Sequence, residues 1–261
     1  MSIKLGILAS SRPAGGGTNP AATAFFNRVT AAGGTLTTNE QNAVITLVDS
    51  LQSAGIWNLM KAIYPMVGAS AASCSQNLVS SSFTGTFTTG WTFASTGAKG
   101  NGTSAYMNTN YNPIISSNIN SKHLAYYSRN NFIDCLIGAN IAEYDQIYYT
   151  AGAYYNILST GLFVAITSAT TKGFLLASRI TGPGGTTTYV NNSNLGNDGL
   201  SAFANPGVNL YINARNANGT ANGFSSNECA FASIGEGLNN TQASNFYASI
   251  QAFQTTLGRQ V

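Results

Sequence analysis

The sequence predicts a mainly β protein, an antiparallel sandwich or jelly roll flanked by short helices at its N- and C-terminal ends. Three observations predict it. From about Phe83 to Ile234 the helical period of apolar residues vanishes, and about a dozen short β-branched and aromatic runs take its place. Turn-forming groups such as Asn101-Gly102, Asn197-Asp198-Gly199 and Asn218-Gly219 separate these runs. On either side of this region lies a stretch with a helix-starting signal and apolar residues at helical spacing.

Taken in order, residues 1–19 form an N-terminal strand or arm. Ile3, Leu5 and Ile7 alternate over one short stretch, followed by the glycine-rich SSRPAGGGTNP. A terminal strand on such a tether suits pairing with a sheet edge, in its own or a neighbouring subunit, and these three residues are the candidate assembly arm. The equal alternative is a strand of the main sandwich. Residues 20–68 read as a helical segment packed on the sandwich. Pro20 stands at the first turn of a short helix, with Phe25 and Val29 one turn apart on it. Thr37 with Glu40 three residues on is a capping-box arrangement, which satisfies free N–H groups of a first helical turn. Behind it Val44, Leu47, Val48 and Leu51 share a face, and Gly55 stands where a helix stops.

Residues 69–236 hold the strand runs, among them HLAYYSR, FIDCLIGA, DQIYYT, GFLLASRIT and ECAFASIG. Their spacing, without intervening helices, argues for a sandwich. Residues 237–261 repeat the helical signal as a C-terminal capping helix. Asn239 and Gln242 make a second capping box, Phe246, Ile250, Phe253 and Leu257 form the stripe, and Gly258 ends it. Each stripe must be buried, against the other or against the sandwich.

Charged residues make up 7% of the chain, against roughly 25% in an average soluble protein. Solubility therefore rests on Asn, Ser, Thr and Gly, which suits a protein of a particle or of the cell exterior. The net charge of +3 is spread thinly and gives no nucleic-acid footprint. No segment approaches the ~18 apolar residues of a membrane span. The LGILA run near the N-terminus is shorter than the ~7-residue core of a secretory signal, so export by that route is not expected. Cys74, Cys135 and Cys229 are odd in number and far apart, which predicts free buried thiols.

The phrases IYPMVG, FTGTFTTGWTFASTGAKGNGTSAYMNT, HLAYYSRNN, ASIGEGL and AFQTTLGRQV resemble segments of virion and tail-fibre proteins of tailed bacteriophages and of prophage-like proteins of Bacteroidota. The resemblance runs from about Thr23 to Val261. It implies a concanavalin A-like sandwich and a structural protein displayed on the virion, assembled in the host cytoplasm and released by lysis. Two roles follow from it: a fibre or spike component attaching to a host-surface glycan, or an architectural capsid decoration, vertex or head-fibre subunit contacting other virion proteins. The weakly charged surface and the terminal strand predict a homo-oligomer, with a trimer favoured.

The inventory for chemistry is thin. Concanavalin A-like glucanases, whose fold the resemblance implies, carry two glutamates bracketing an aspartate on one strand. Here Glu143 and Asp145 are followed by Ile147 and Tyr148, so the acid/base pair is missing. His123 has no Cys, Asp or Glu beside it, the GPGG at 182–185 lacks the Lys-Ser/Thr ending of a phosphate loop, and Asp198 stands alone. The sequence therefore predicts no enzyme, no cofactor and no metal. Binding is the better supported expectation. Tyr144, Tyr148, Tyr149, Tyr154 and Tyr155 crowd into one hairpin and form the candidate ligand or partner surface, since tyrosine offers an apolar face and a hydroxyl. Neighbours on a strand point to opposite faces, so the alternative is a hairpin with ordinary aromatic packing.

Overall fold

Both predicted capping boxes close in the computed structural model, which describes residues 19–261 apart from 132, 169, 182 and 183. The Glu40 amide donates to Thr37 Oγ1 at 3.2 Å and the Thr37 amide to Glu40 Oε2 at 2.8 Å. Asn239 and Gln242 exchange the equivalent bonds at 2.9 and 3.0 Å. The helices are α1 (Pro20–Ala31), α2 (Thr38–Ser53), α3 (Ala71–Cys74), α4 (Pro113–Ser116) and α5 (Asn240–Thr256). Asn19 caps α1 and donates to Asp49 and Gln52, both at 2.8 Å, tying α1 to α2.

The strands up to the middle of the chain are β1 (Met60–Tyr64), β2 (Thr86–Phe87), β3 (Thr92–Ala94), β4 (Gly97–Lys99), β5 (Met107–Asn108), β6 (Lys122–Ser128), β7 (Asp134–Asn140) and β8 (Tyr144–Thr150). There follow β9 (Ala153–Tyr154), β10 (Ile157–Thr160), β11 (Ile166–Thr167), β12 (Gly173–Arg179) and β13 (Thr187–Val190). The last are β14 (Ser193–Asn197), β15 (Tyr211–Ile212), β16 (Arg215–Ala217), β17 (Thr220–Asn222) and β18 (Glu228–Gly235). Sheet A runs β14-β13-β12-β6-β18-β4-β3, with β1 also on β18. Sheet B runs β11-β9-β8-β7-β15-β5-β2, with β10 on β8 and the β16–β17 hairpin on β7. The pairing is antiparallel except where β16 runs parallel to β7. The chain is thus mainly β, a two-sheet sandwich with flanking helices.

The two cores explain the architecture. Sheet A is buried on both faces. On β12, Phe174 and Leu176 face the helices, where they join Phe25, Val44, Leu47, Phe246 and Ile250. Leu175 and Ala177, pointing the other way, join Leu136, Ile147, Leu158 and Ile212 of sheet B. The stripes of α2 and α5 are therefore buried against each other and against sheet A, each large side chain contributing ~1.5–3 kcal/mol. Leu257 is the exception in its stripe, half-buried at the helix C-cap. Sheet B has its inner face in the second core, and none of the long helices packs on its outer face.

The sequence reading of 20–68 as a helical segment misses β1, whose residues pair with the end of β18. Buried charged side chains cross between the layers. Lys122 Nζ of β6 contacts Asp145 Oδ2 of β8 at 2.7 Å, both buried, joining the two sheets. Arg259, fully buried beyond α5, donates to the carbonyls of Pro65, Met66 and Ala230.

Candidate functional site

Strand β8 builds the site by alternation. Tyr144, Gln146 and Tyr148 point outward from sheet B, while Asp145, Ile147 and Tyr149 point into the sandwich. The next strands add to each side. Tyr155 stands 6.2 Å from Tyr148, ring centre to ring centre, and 6.4 Å from Phe163. Phe163 in turn lies 4.8 Å from Tyr144 and is 49% exposed. Arg215 reaches across β7 from β16, its guanidinium carbon 5.6 Å from the Tyr144 ring centre and 5.9 Å from that of Tyr148. Its Nε donates to Asn222 Oδ1 at 3.1 Å and its Nη1 to Gln146 Oε1 at 3.3 Å. The result is a half-exposed aromatic shelf with one oriented cation.

Gly138 permits that crossing. It lies opposite Gln146 on one side and Arg215 on the other. A Cβ there would sit 2.6 Å from Cys135 Sγ, 3.2 Å from Gln146 Cβ and 3.4 Å from Arg215 Cγ. Farther along the same sheet, Tyr106 stacks on Tyr211 at 4.2 Å, with Phe224 6.4 Å from Tyr106. Phe224 also borders a cleft of about 470 Å³ lined by Asn131, Asp134, Ser226 and Asn227. Tyr144, Tyr148, Tyr155, Phe163 and Arg215 are not among its lining residues.

The five candidate tyrosines are divided. Tyr144, Tyr148 and Tyr155 share the shelf. Tyr149 and Tyr154 pack on each other at 4.9 Å on the sandwich side, with their hydroxyls donating to the carbonyls of Ser168 and Thr170. Burial pushes the Tyr154 phenol well above its ordinary range. Sequence reasoning missed Phe163, Gln146, Arg215 and Asn222, which only strand pairing brings together. The candidate arm Ile3, Leu5 and Ile7 lies outside the described residues.

The other polar residues singled out in the sequence are held inside. Asp145 pairs with Lys122 and accepts from the Ser159 amide at 2.8 Å, so it faces away from Glu143 and the solvent. Burial raises the Asp145 carboxyl and lowers the Lys122 ammonium, each partly offset by the other's charge. His123 is fully buried under α5, with Nδ1 2.6 Å from the Glu236 carbonyl and Nε2 3.1 Å from Ser233 Oγ, and desolvation lowers it to about 4. Cys74, Cys135 and Cys229 are free and buried, each thiol pushed up to about 12 by desolvation. Asp198 Oδ1 accepts from the amides of Thr186 and Leu200 at 2.7 and 3.0 Å. Among the described residues no three His, Cys, Asp or Glu side chains gather as metal ligands do.

Among the described residues, fold and site define a β-sandwich with one face closed by helices and one aromatic face that no long helix covers. No protein-family model matches the sequence, and neither does any curated protein. Among solved structures, domain 4 of AbnA, a GH43 extracellular arabinanase from Geobacillus stearothermophilus in complex with arabinotriose, is similar at 13% identity and a TM-score of 0.49. The likeness covers 72% of this chain and 97% of that domain. A Trypanosoma rangeli sialidase variant with trans-sialidase activity is similar at 10% identity and a TM-score of 0.49, over 80% of this chain and 39% of that one. A variant of NanB sialidase from Streptococcus pneumoniae follows at 12% identity and 0.40, over 48% and 23%. These matches correct one expectation. Their names are those of an arabinanase and of sialidases, so the exclusion of an enzyme drawn from the missing glutamate pair is withdrawn. At these scores they assign neither ligand nor reaction to this chain.

Proposed function

We propose that this chain is a surface-displayed attachment protein of a tailed-bacteriophage particle, a fibre or spike component that holds a host-surface glycan on the outer face of sheet B. One observation carries the reading. Tyr144, Tyr148 and Tyr155 stand on a single solvent-facing shelf with Arg215, on the sheet face that no long helix covers. Aromatic faces stack on the C–H faces of sugar rings at little entropic cost, and the amides and guanidinium beside them supply fixed polar contacts. The resemblance of the sequence to virion proteins and its low charge support the particle setting.

The test is a glycan array probed with the full chain and with a Tyr148→Ala/Tyr155→Ala variant. Glycan binding by the wild type that the variant loses, at an unchanged melting temperature, is the expected result. No binding by wild type, or undiminished binding by the variant, would overturn the shelf as the site.

A second observation favours the architectural role. Ile114, Ile115, Ile141, Leu162 and Phe203 are exposed, Phe203 by 79% and Ile115 by 81%. A Cβ on Gly207 would lie 3.5 Å from Ile141 Cδ1 and 3.9 Å from Ile114 Cδ1, so both side chains border Gly207, near the β7–β8 turn. Such exposed apolar side chains suit contacts with further copies, a trimer foremost, or with other virion proteins. Light scattering that gives three times the chain mass supports this assembly, and a monomer at all concentrations argues against it.

A further inference from the structure

We infer that the glycan taken by this face carries a carboxylate, bound by the free edge of the Arg215 guanidinium. This rests on the glycan-binding reading above and specifies its ligand class. The reasoning starts from charge. Lys61, Lys122 and Arg129 face Glu236, Asp145 and Glu228 at 2.8, 2.7 and 3.6 Å. Arg215 has no carboxylate partner among the described residues. Its partners are two neutral amide oxygens, of Asn222 and Gln146, and two tyrosine rings. These fix the plane of the guanidinium without neutralising it. Among the described residues Nη2 donates to nothing, and Arg215 is half-buried, so its unsatisfied edge meets solvent.

A planar fork with free N–H groups in a fixed plane matches a carboxylate bidentately, which is the geometry in which arginine binds most strongly. Gln146 is itself fully buried and held by Arg215 and by the Tyr155 carbonyl, to which its Nε2 donates at 3.3 Å. The cation is therefore preorganised between Tyr144 and Tyr148, where a pyranose ring on the tyrosines would place an acidic substituent. Gly138 belongs to the same device, since a side chain there would press on Arg215 Cγ and Gln146 Cβ.

The experiment titrates the full chain with acidic glycans and their neutral twins: polygalacturonate against its methyl ester, and sialyllactose against lactose. Calorimetry at low salt is expected to show at least one acidic member bound about ten-fold more tightly than its twin. Arg215→Gln, checked for an unchanged melting temperature, is expected to reduce that preference to about two-fold or less, the acidic member losing more affinity than its neutral twin. Asn222→Ala, which unseats the guanidinium without removing its charge, is expected to give an intermediate loss and serves if Arg215→Gln misfolds. Equal binding of the twins by wild type, or a preference that survives Arg215→Gln, would overturn the inference and leave the glycan-binding reading standing. Binding of none of the four probes would overturn both.

Discussion

Replacing Arg259 with methionine is expected to destabilise the protein by about 3–5 kcal/mol. The side chain is fully buried. Its Nη1 donates to the Met66 carbonyl at 2.8 Å, and its Nη2 to the carbonyls of Pro65 and Ala230 at 2.7 and 2.8 Å. Its Nε donates to Gln254 Oε1 at 2.6 Å. Desolvation pulls the guanidinium down to about 10, so the buried charge is itself unfavourable. What the arginine supplies is donors for the chain just after β1, for β18 and for the end of α5. Methionine fills much of the volume and removes the charge. It leaves the Pro65 and Met66 carbonyls and Gln254 Oε1 without their donor, while the Ala230 carbonyl keeps Gln254 Nε2 at 3.2 Å. Each orphaned buried acceptor costs about 1–3 kcal/mol, and relief of the buried cation lowers the sum to the stated range. In a domain of this size a loss of that order lowers the melting midpoint by about 6–20 °C. Thermal unfolding followed by circular dichroism at neutral pH measures it. A midpoint within about 2 °C of wild type would mean that the orphaned acceptors had found other donors and that Arg259 is dispensable to the core.

His123 ties stability to pH. Its folded value of about 4 lies below the ordinary 6.5, so the folded state resists protonation. The contribution is full above pH 6.5 and falls as pH drops toward 4, by about 3 kcal/mol in all. His123→Gln should flatten that segment of the stability–pH curve, and an unchanged slope between pH 7 and 4 would contradict the assignment. For the buried pair, Lys122→Met alone is expected to cost about 3–5 kcal/mol, whereas Lys122→Met with Asp145→Leu should recover most of it. Chemical denaturation of the cycle checks this, and additive losses would show that the two charges are not coupled. Tyr154→Ala should cost ~3–5 kcal/mol as a core truncation, against under ~1 kcal/mol for Tyr155→Ala on the shelf. Equal losses in denaturant titrations would mean that the shelf is packed as core.

Much of the fold is legible because its signals are local. The capping pairs Thr37–Glu40 and Asn239–Gln242 announce both long flanking helices before any tertiary contact is considered. The runs around β6, β7, β8, β12 and β18 are apolar or aromatic stretches without a helical period. β14 and the β16–β17 hairpin are not, since SNLGN and RNANGTAN are mostly Asn and Gly and are strands only because neighbours pair with them. β6 and β12 hide their alternation because helices cover one face and sheet B the other. At the site, alternation foretells that neighbouring tyrosines part ways, and Tyr148 and Tyr149 do. No local pattern foretells Arg215 or Phe163. They reach the shelf from distant segments, Arg215 through a register that sets it against Gly138.

Whether the outer face of sheet B holds the ligand is decided by ring-labelled tyrosine in an NMR titration with a glycan selected on the array. The Tyr144, Tyr148 and Tyr155 resonances should shift together with one dissociation constant. Those of Tyr149 and Tyr154 inside the sandwich, and of Tyr247 on the helical side, should stay in place. Saturable binding that moves Tyr247 or the interior tyrosines and leaves the three shelf tyrosines unmoved would contradict a ligand on this face.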